Sequence, residues 1–64
     1  MEKIKELRLQ KGLSQRALAS KAGISQSMLS DIEKGKVNPT VKVLIKISNA
    51  LGVDITELVE NIAS

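Results

Sequence analysis

Apolar residues along this chain recur every three or four positions, in short runs that break at Gly12, Gly23, Gly35, Asn38-Pro39 and Gly52. The breaks leave five segments, and each fits a helix. In the first, Ile4, Leu7 and Lys11 line one stripe, and Gly12 follows as a C-terminal stop. Ser14 is placed to cap the second, which carries Ala17, Leu18, Ala19 and Ala22 and ends at Gly23. Ser25 can cap the third, with Met28, Leu29 and Ile32 as its apolar positions and Gly35 as its stop. The fourth, TVKVLIKISNALG, reads two ways. Val41, Val43, Ile45 and Ile47 alternate as in a strand, whereas Leu44, Ile47 and Leu51 keep helical spacing. Thr40 as a cap, Gly52 as a stop and the length of the run decide for a helix. The fifth opens at Asp54, with Glu57 three residues on as the partner in a capping box. Ile55, Leu58, Val59 and Ile62 form its stripe. Five short helices leave no room for a sheet, so the expected fold class is all-α.

Composition narrows what such a bundle could do. With 64 residues the chain suits one small domain, whose limited core makes oligomerisation a natural route to stability. Apolar residues make up 42% of it, yet Phe, Tyr and Trp are absent, so the core is aliphatic. Neither Cys nor His occurs, which excludes zinc fingers, disulfide scaffolds, thiol nucleophiles and imidazole catalysis. The seven carboxylates are scattered, and no Gly-rich phosphate loop appears. No metal, cofactor, catalytic residue or small-molecule ligand is therefore expected. Without aromatics there is no platform on which single-stranded bases could stack. No apolar run approaches the ~20 residues of a membrane span, and the charged start MEKIKELR is unlike a signal peptide. A cytoplasmic protein without membrane contact is the expectation.

Charge adds direction. Residues 1–46 hold all ten Lys and Arg and four of the acids, a balance of +6, while residues 47–64 hold three acids and no base, a balance of −3. Plain solvation accounts for such a surface, and so does one basic face for a polyanion with an acidic tail turned away.

The most specific pattern lies in residues 15–34, QRALASKAGISQSMLSDIEK. Two helices of about eight residues meet across a tight turn at Gly23. Ala19 and Ala22 are small enough for the helices to cross closely, and Leu18, Ile24, Leu29 and Ile32 supply the apolar contacts that set the angle. An αα-hairpin can share any one of these features; all of them together at this spacing describe a helix-turn-helix. The chain resembles the Cro and phage-repressor (XRE-type) helix-turn-helix family nearly end to end. The resemblance rests on G-L-S-Q, L-A-x-K-A-G, I-E-K-G-K, N-P-T and A-L-G-V, which are specific in combination.

That resemblance implies a lambda-repressor-like five-helix bundle over 1–64. Its second helix would span about 14–22, and its recognition helix, about 25–34, would enter the major groove of double-stranded operator DNA. Gln26, Ser27 and Ser30 would face base edges, and the chemistry agrees: Gln pairs with adenine N6 and N7, and Ser donates or accepts at several bases. Asp31 also falls on that stretch. It could accept from cytosine N4, hold Lys34, or exclude wrong sequences. Gln15, Ser25, Lys34, Lys36, Asn38 and Lys42 are the expected DNA-backbone contacts, joined by helix N-termini at Ser14 and Thr40. Arg8 and Glu33 would form a partly buried ion pair tying the first helix to the third. One departure is clear: no arginine stands in the loop before Val41 to enter the minor groove.

The C-terminal stripe is broader than one buried face requires. Ile55 and Leu58 are expected in the core, which leaves Val59 and Ile62 for the interface of a two-fold homodimer. The leading function is then a sequence-specific regulator, a repressor on a palindromic operator. The other reading is a protein-interaction module, such as an antitoxin-like partner with a helix-turn-helix. A stand-alone regulator and an excised domain of a larger one are both compatible with the sequence.

Overall fold

The computed structural model describes residues 1–59. Four helices follow one another: α1 Glu2–Gln10, α2 Gln15–Ala22, α3 Gln26–Glu33 and α4 Val41–Leu51. A single 3₁₀ turn, Ile55–Glu57, comes after them. Each start after the first is made by a local side chain. Ser14, Ser25 and Thr40 accept the N–H of Ala17, Met28 and Val43 at 3.0, 3.0 and 3.2 Å. These bonds satisfy N–H groups that a helix start otherwise leaves unpaired, each contributing about 1 kcal/mol.

Helix α4 shows which of its two competing patterns governs. Leu44, Ile47 and Leu51 are buried at helical spacing, while Val41 is left 68% exposed and Ile45 also faces solvent. The strand-like alternation had no second strand to pair with, so burial of one helical face decided the outcome. The core is aliphatic throughout. Ile4, Leu18, Leu29, Ile32 and Ile47 are fully enclosed, and α2 packs against both α3 and α4. Lys11, expected on the α1 stripe, is exposed at the helix end, and Arg8 takes the buried place beside Ile4 and Leu7.

The expected five-helix bundle needs correction. Within the described residues the fifth segment is a 3₁₀ turn, so the fold is all-α with four helices and that turn. The capping box at its start is present: Asp54 Oδ1 accepts from Thr56 N–H (3.0 Å) and Thr56 O–H (2.9 Å), and Asp54 N–H donates to Glu57 (3.4 Å). The two Thr56 donors hold the Asp54 carboxyl below its ordinary pKa. After this start the chain closes tightly, with Leu58 N–H donating to Ile55 C=O (3.0 Å), a three-residue step. Leu58 is buried, Ile55 and Val59 are half-buried against the core, and Ile62 lies outside the described residues.

Gly23 forms the turn between α2 and α3 with φ +72°. That conformation lets Ile24 N–H reach Ala19 C=O at 3.0 Å and swings the chain directly into α3. A Cβ at this position would meet nothing within 4 Å. Gly23→Ala is therefore expected to lower stability by about 1–2 kcal/mol, from backbone conformation alone. Urea denaturation measures it; an unchanged midpoint would contradict the strain argument.

Candidate nucleic-acid interface

The position of α3 is fixed from beneath by a buried charge network. Arg8 Nε donates to Glu33 Oε2 at 2.8 Å and Nη2 to Glu33 Oε1 at 3.2 Å, a two-point pairing of guanidinium with carboxylate. Arg8 Nη1 donates to Leu13 C=O (2.9 Å), which draws the α1–α2 loop into the same cluster. Gln15 Nε2 donates to Glu33 Oε1 at 3.1 Å. Arg8 and Glu33 are only 7% and 8% exposed. One carboxylate at the end of α3 thus receives donors from α1 and from the first residue of α2. The Met1 ammonium adds a further tie, donating to the C=O of Ile32 at 2.6 Å and of Glu33 at 3.3 Å, where the negative end of the helix dipole favours a cation.

With that side anchored, the outer face of α3 is free. At 3.6 residues per turn, Gln26, Ser30, Lys34, Ser27 and Asp31 fall within an arc of about 140°. Leu29 and Ile32 occupy the opposite side, Glu33 falls next to Gln26 at the edge of the arc, and all three are buried. Gln26, Ser27 and Lys34 are exposed, and Ser30 and Asp31 are half-buried. The Ser25 oxygen is occupied as the cap acceptor, yet its hydroxyl hydrogen remains able to donate outward. Lys36 and Asn38 lie exposed in the loop after α3, and Lys42 is exposed on the first turn of α4. All are long or short polar groups that can reach an anionic backbone lying across α3.

Two features differ from the expectation drawn from the sequence. Gln15 is half-buried and spends one amide N–H on Glu33, so only its second N–H and its Oε1 remain for a partner outside. Met28, grouped with the core positions from its spacing, is 42% exposed. It lies beside Asp31 at the edge of the polar arc, on the seam between the two faces. Two core positions, Leu29 and Ile32, already saturate the buried side, and a helical projection alone would have placed Met28 at that border.

Among the described residues no helix is long and apolar enough to cross a membrane, and no group of acidic residues is placed to hold a metal ion.

Residues 4–58 match the helix-turn-helix family. The chain belongs to that family, in its Cro and phage-repressor (XRE) branch. This makes it a DNA-binding protein of the transcriptional-regulator class rather than an enzyme. It is 47% identical over 53 residues to an HTH-type transcriptional regulator of Sinorhizobium fredii, covering 83% of this chain and 69% of that one. With the immunity repressor of Bacillus phage phi105 it shares 38% identity over 58 residues, 91% of this chain and 40% of the repressor. The chain thus spans less than half of that larger protein. Among solved structures, the restriction-modification controller protein C.AhdI from Aeromonas hydrophila superposes with a TM-score of 0.88 at 35% identity. The match covers 89% of this chain and 86% of that one. In the superposed part the fold is that of the lambda-repressor-like helix-turn-helix.

Proposed function

We propose that this chain is a cytoplasmic repressor that reads a specific double-stranded DNA site with α3 and binds a palindromic operator as a two-fold dimer. The whole of residues 1–64 would serve as one DNA-binding domain. The observation that carries the reading is the division of α3. Leu29, Ile32 and Glu33 hold one side, while Gln26, Ser27, Ser30 and Asp31 face outward with no structural task of their own. Gln26, at the first position of the helix, is the strongest base reader, because its amide can both donate and accept in one plane against adenine. Lys34, Lys36, Asn38 and Lys42, with Ser25 and the remaining N–H of Gln15, would set the register by holding phosphates. For the dimer, the support is the apolar character of Val59 and Ile62 in the acidic C-terminal segment of the sequence.

Selection of bound sites from a random duplex pool tests this reading. A two-fold palindrome is expected, with half-sites about one helical turn, ~34 Å, apart. Repeating the selection with Gln26→Ala should relax the preference at one base pair per half-site, at a cost of about 1–3 kcal/mol in binding to the original site. Recovery of no preferred duplex would overturn the DNA-reading proposal and favour the interaction-module alternative. A preferred site without two-fold symmetry would overturn the dimer alone.

A further inference from the structure

We propose that Asp31 and Met28 together read cytosine, and that methylation of that cytosine at C5 strengthens binding. The inference rests on α3 being the reading helix and names what one part of it recognises. Asp31 is half-buried, and among the described residues its carboxylate has neither ion pair nor hydrogen-bond donor; outside the helix ladder its backbone C=O accepts from Lys36 N–H at 2.9 Å. Lys34 and Lys36, close in sequence, do not neutralise it. Such a group is unfavourable against a phosphate-lined groove unless a base turns an amino group towards it. A carboxylate only accepts hydrogen bonds, so it selects the amino edge of cytosine N4 or, less fully, adenine N6. It repels the O4 of thymine and the O6 and N7 of guanine.

The surroundings of Asp31 separate the two remaining bases. It borders an open groove of about 340 Å³ whose lining includes the apolar Met28, Val37, Pro39 and Val43 and the polar Asn38 and Thr40. Met28 is 42% and Val37 45% exposed, so apolar surface flanks the carboxylate on the recognition helix and on the loop after it. In the major groove the pyrimidine C5 position lies next to the C4 substituent on the same base edge. A C5-methyl group next to an N4 amino group is the edge of 5-methylcytosine. It offers a donor to Asp31 and a methyl group to Met28, whereas thymine offers the methyl with a repelled O4 and adenine the amino group without a methyl. The order of preference at this position is therefore 5-methylcytosine, cytosine, adenine, then thymine and guanine.

The test starts from the site selected with the full chain and replaces each cytosine in turn by 5-methylcytosine, with affinity read by fluorescence anisotropy at one fixed salt concentration. At one cytosine per half-site, methylation should tighten binding about four-fold, the equivalent of one buried methyl group. Met28→Ala should lose the methyl gain, so that it binds the methylated and unmethylated sites with equal affinity. Asp31→Asn should move the preferred base from cytosine towards adenine. Circular dichroism of both variants checks that they fold as the parent does. A selected site without cytosine in either half, or methylation that is neutral or weakening at every cytosine, overturns the inference and leaves base reading by α3 standing. Full retention of the methyl gain in Met28→Ala overturns it as well. Failure to select any site would overturn the underlying reading, and this inference with it.

Discussion

Glu33→Ala is expected to lower the melting temperature by roughly 15–30 °C. The wild-type carboxylate accepts from Arg8 Nε, Arg8 Nη2 and Gln15 Nε2, and both charged partners are nearly excluded from solvent. Removing it strands a guanidinium beneath α3 and leaves a glutamine donor without its acceptor. Breaking a buried pair from one side costs about 3–5 kcal/mol, because the remaining charge is still desolvated. For so small a domain that is a large share of the total stability. The mechanism makes a second, contrasting expectation. Replacing both partners, as in Arg8→Met with Glu33→Leu, removes the stranded charge along with the pair and should recover most of the loss. Thermal melts followed by far-UV circular dichroism separate the two. A shift below about 5 °C for Glu33→Ala would mean that Arg8 finds water or another acceptor, and the network would then be no anchor for α3.

Much of this architecture was legible because it is written in local chemistry. Ser14, Ser25, Thr40 and Asp54 each start an element with a bond no more than three residues long, so spacing alone locates them. The α4 helix was legible for a different reason: Leu44, Ile47 and Leu51 keep their period through a β-branched run, and one buried face outweighs propensity. Features that depend on distant partners were harder to read. Gln15 finds Glu33 across 18 positions of sequence, and nothing at Gln15 itself announces that contact. Met28 has core-like spacing because it stands four positions from both Ile24 and Ile32, yet the buried side of α3 is filled by Leu29, Ile32 and Glu33. The fifth segment has the cap of a helix, but that cap begins a 3₁₀ turn in the described residues. The polar arc of α3 is legible as a surface, whereas which base each member meets depends on the DNA.

Replacing Lys34 and Lys36 together by glutamate should weaken DNA binding by about three orders of magnitude. The two substitutions change the local charge by four units, and a unit charge near 4 Å from a phosphate in water contributes about 1 kcal/mol. Both side chains are exposed, and neither forms an ion pair among the described residues, so folding should lose no more than about 1 kcal/mol, from acidic groups placed at the C-terminal end of α3. The backbone bonds of that loop, Lys34 N–H to Ser30 C=O at 3.0 Å and Lys36 N–H to Asp31 C=O at 2.9 Å, do not depend on the side chains. Loss of affinity with an intact melt thus isolates an electrostatic role. The salt dependence then tells position from reading: two lost phosphate contacts should reduce the slope of log K against log salt by about 2. Gln26→Ala, by contrast, should relax the preference at one base pair per half-site and leave the slope where it was. A double lysine variant with the parental slope would place both side chains off the phosphate backbone. The register of α3 in the groove would then have to come from Lys42, Asn38 and the capped helix starts instead.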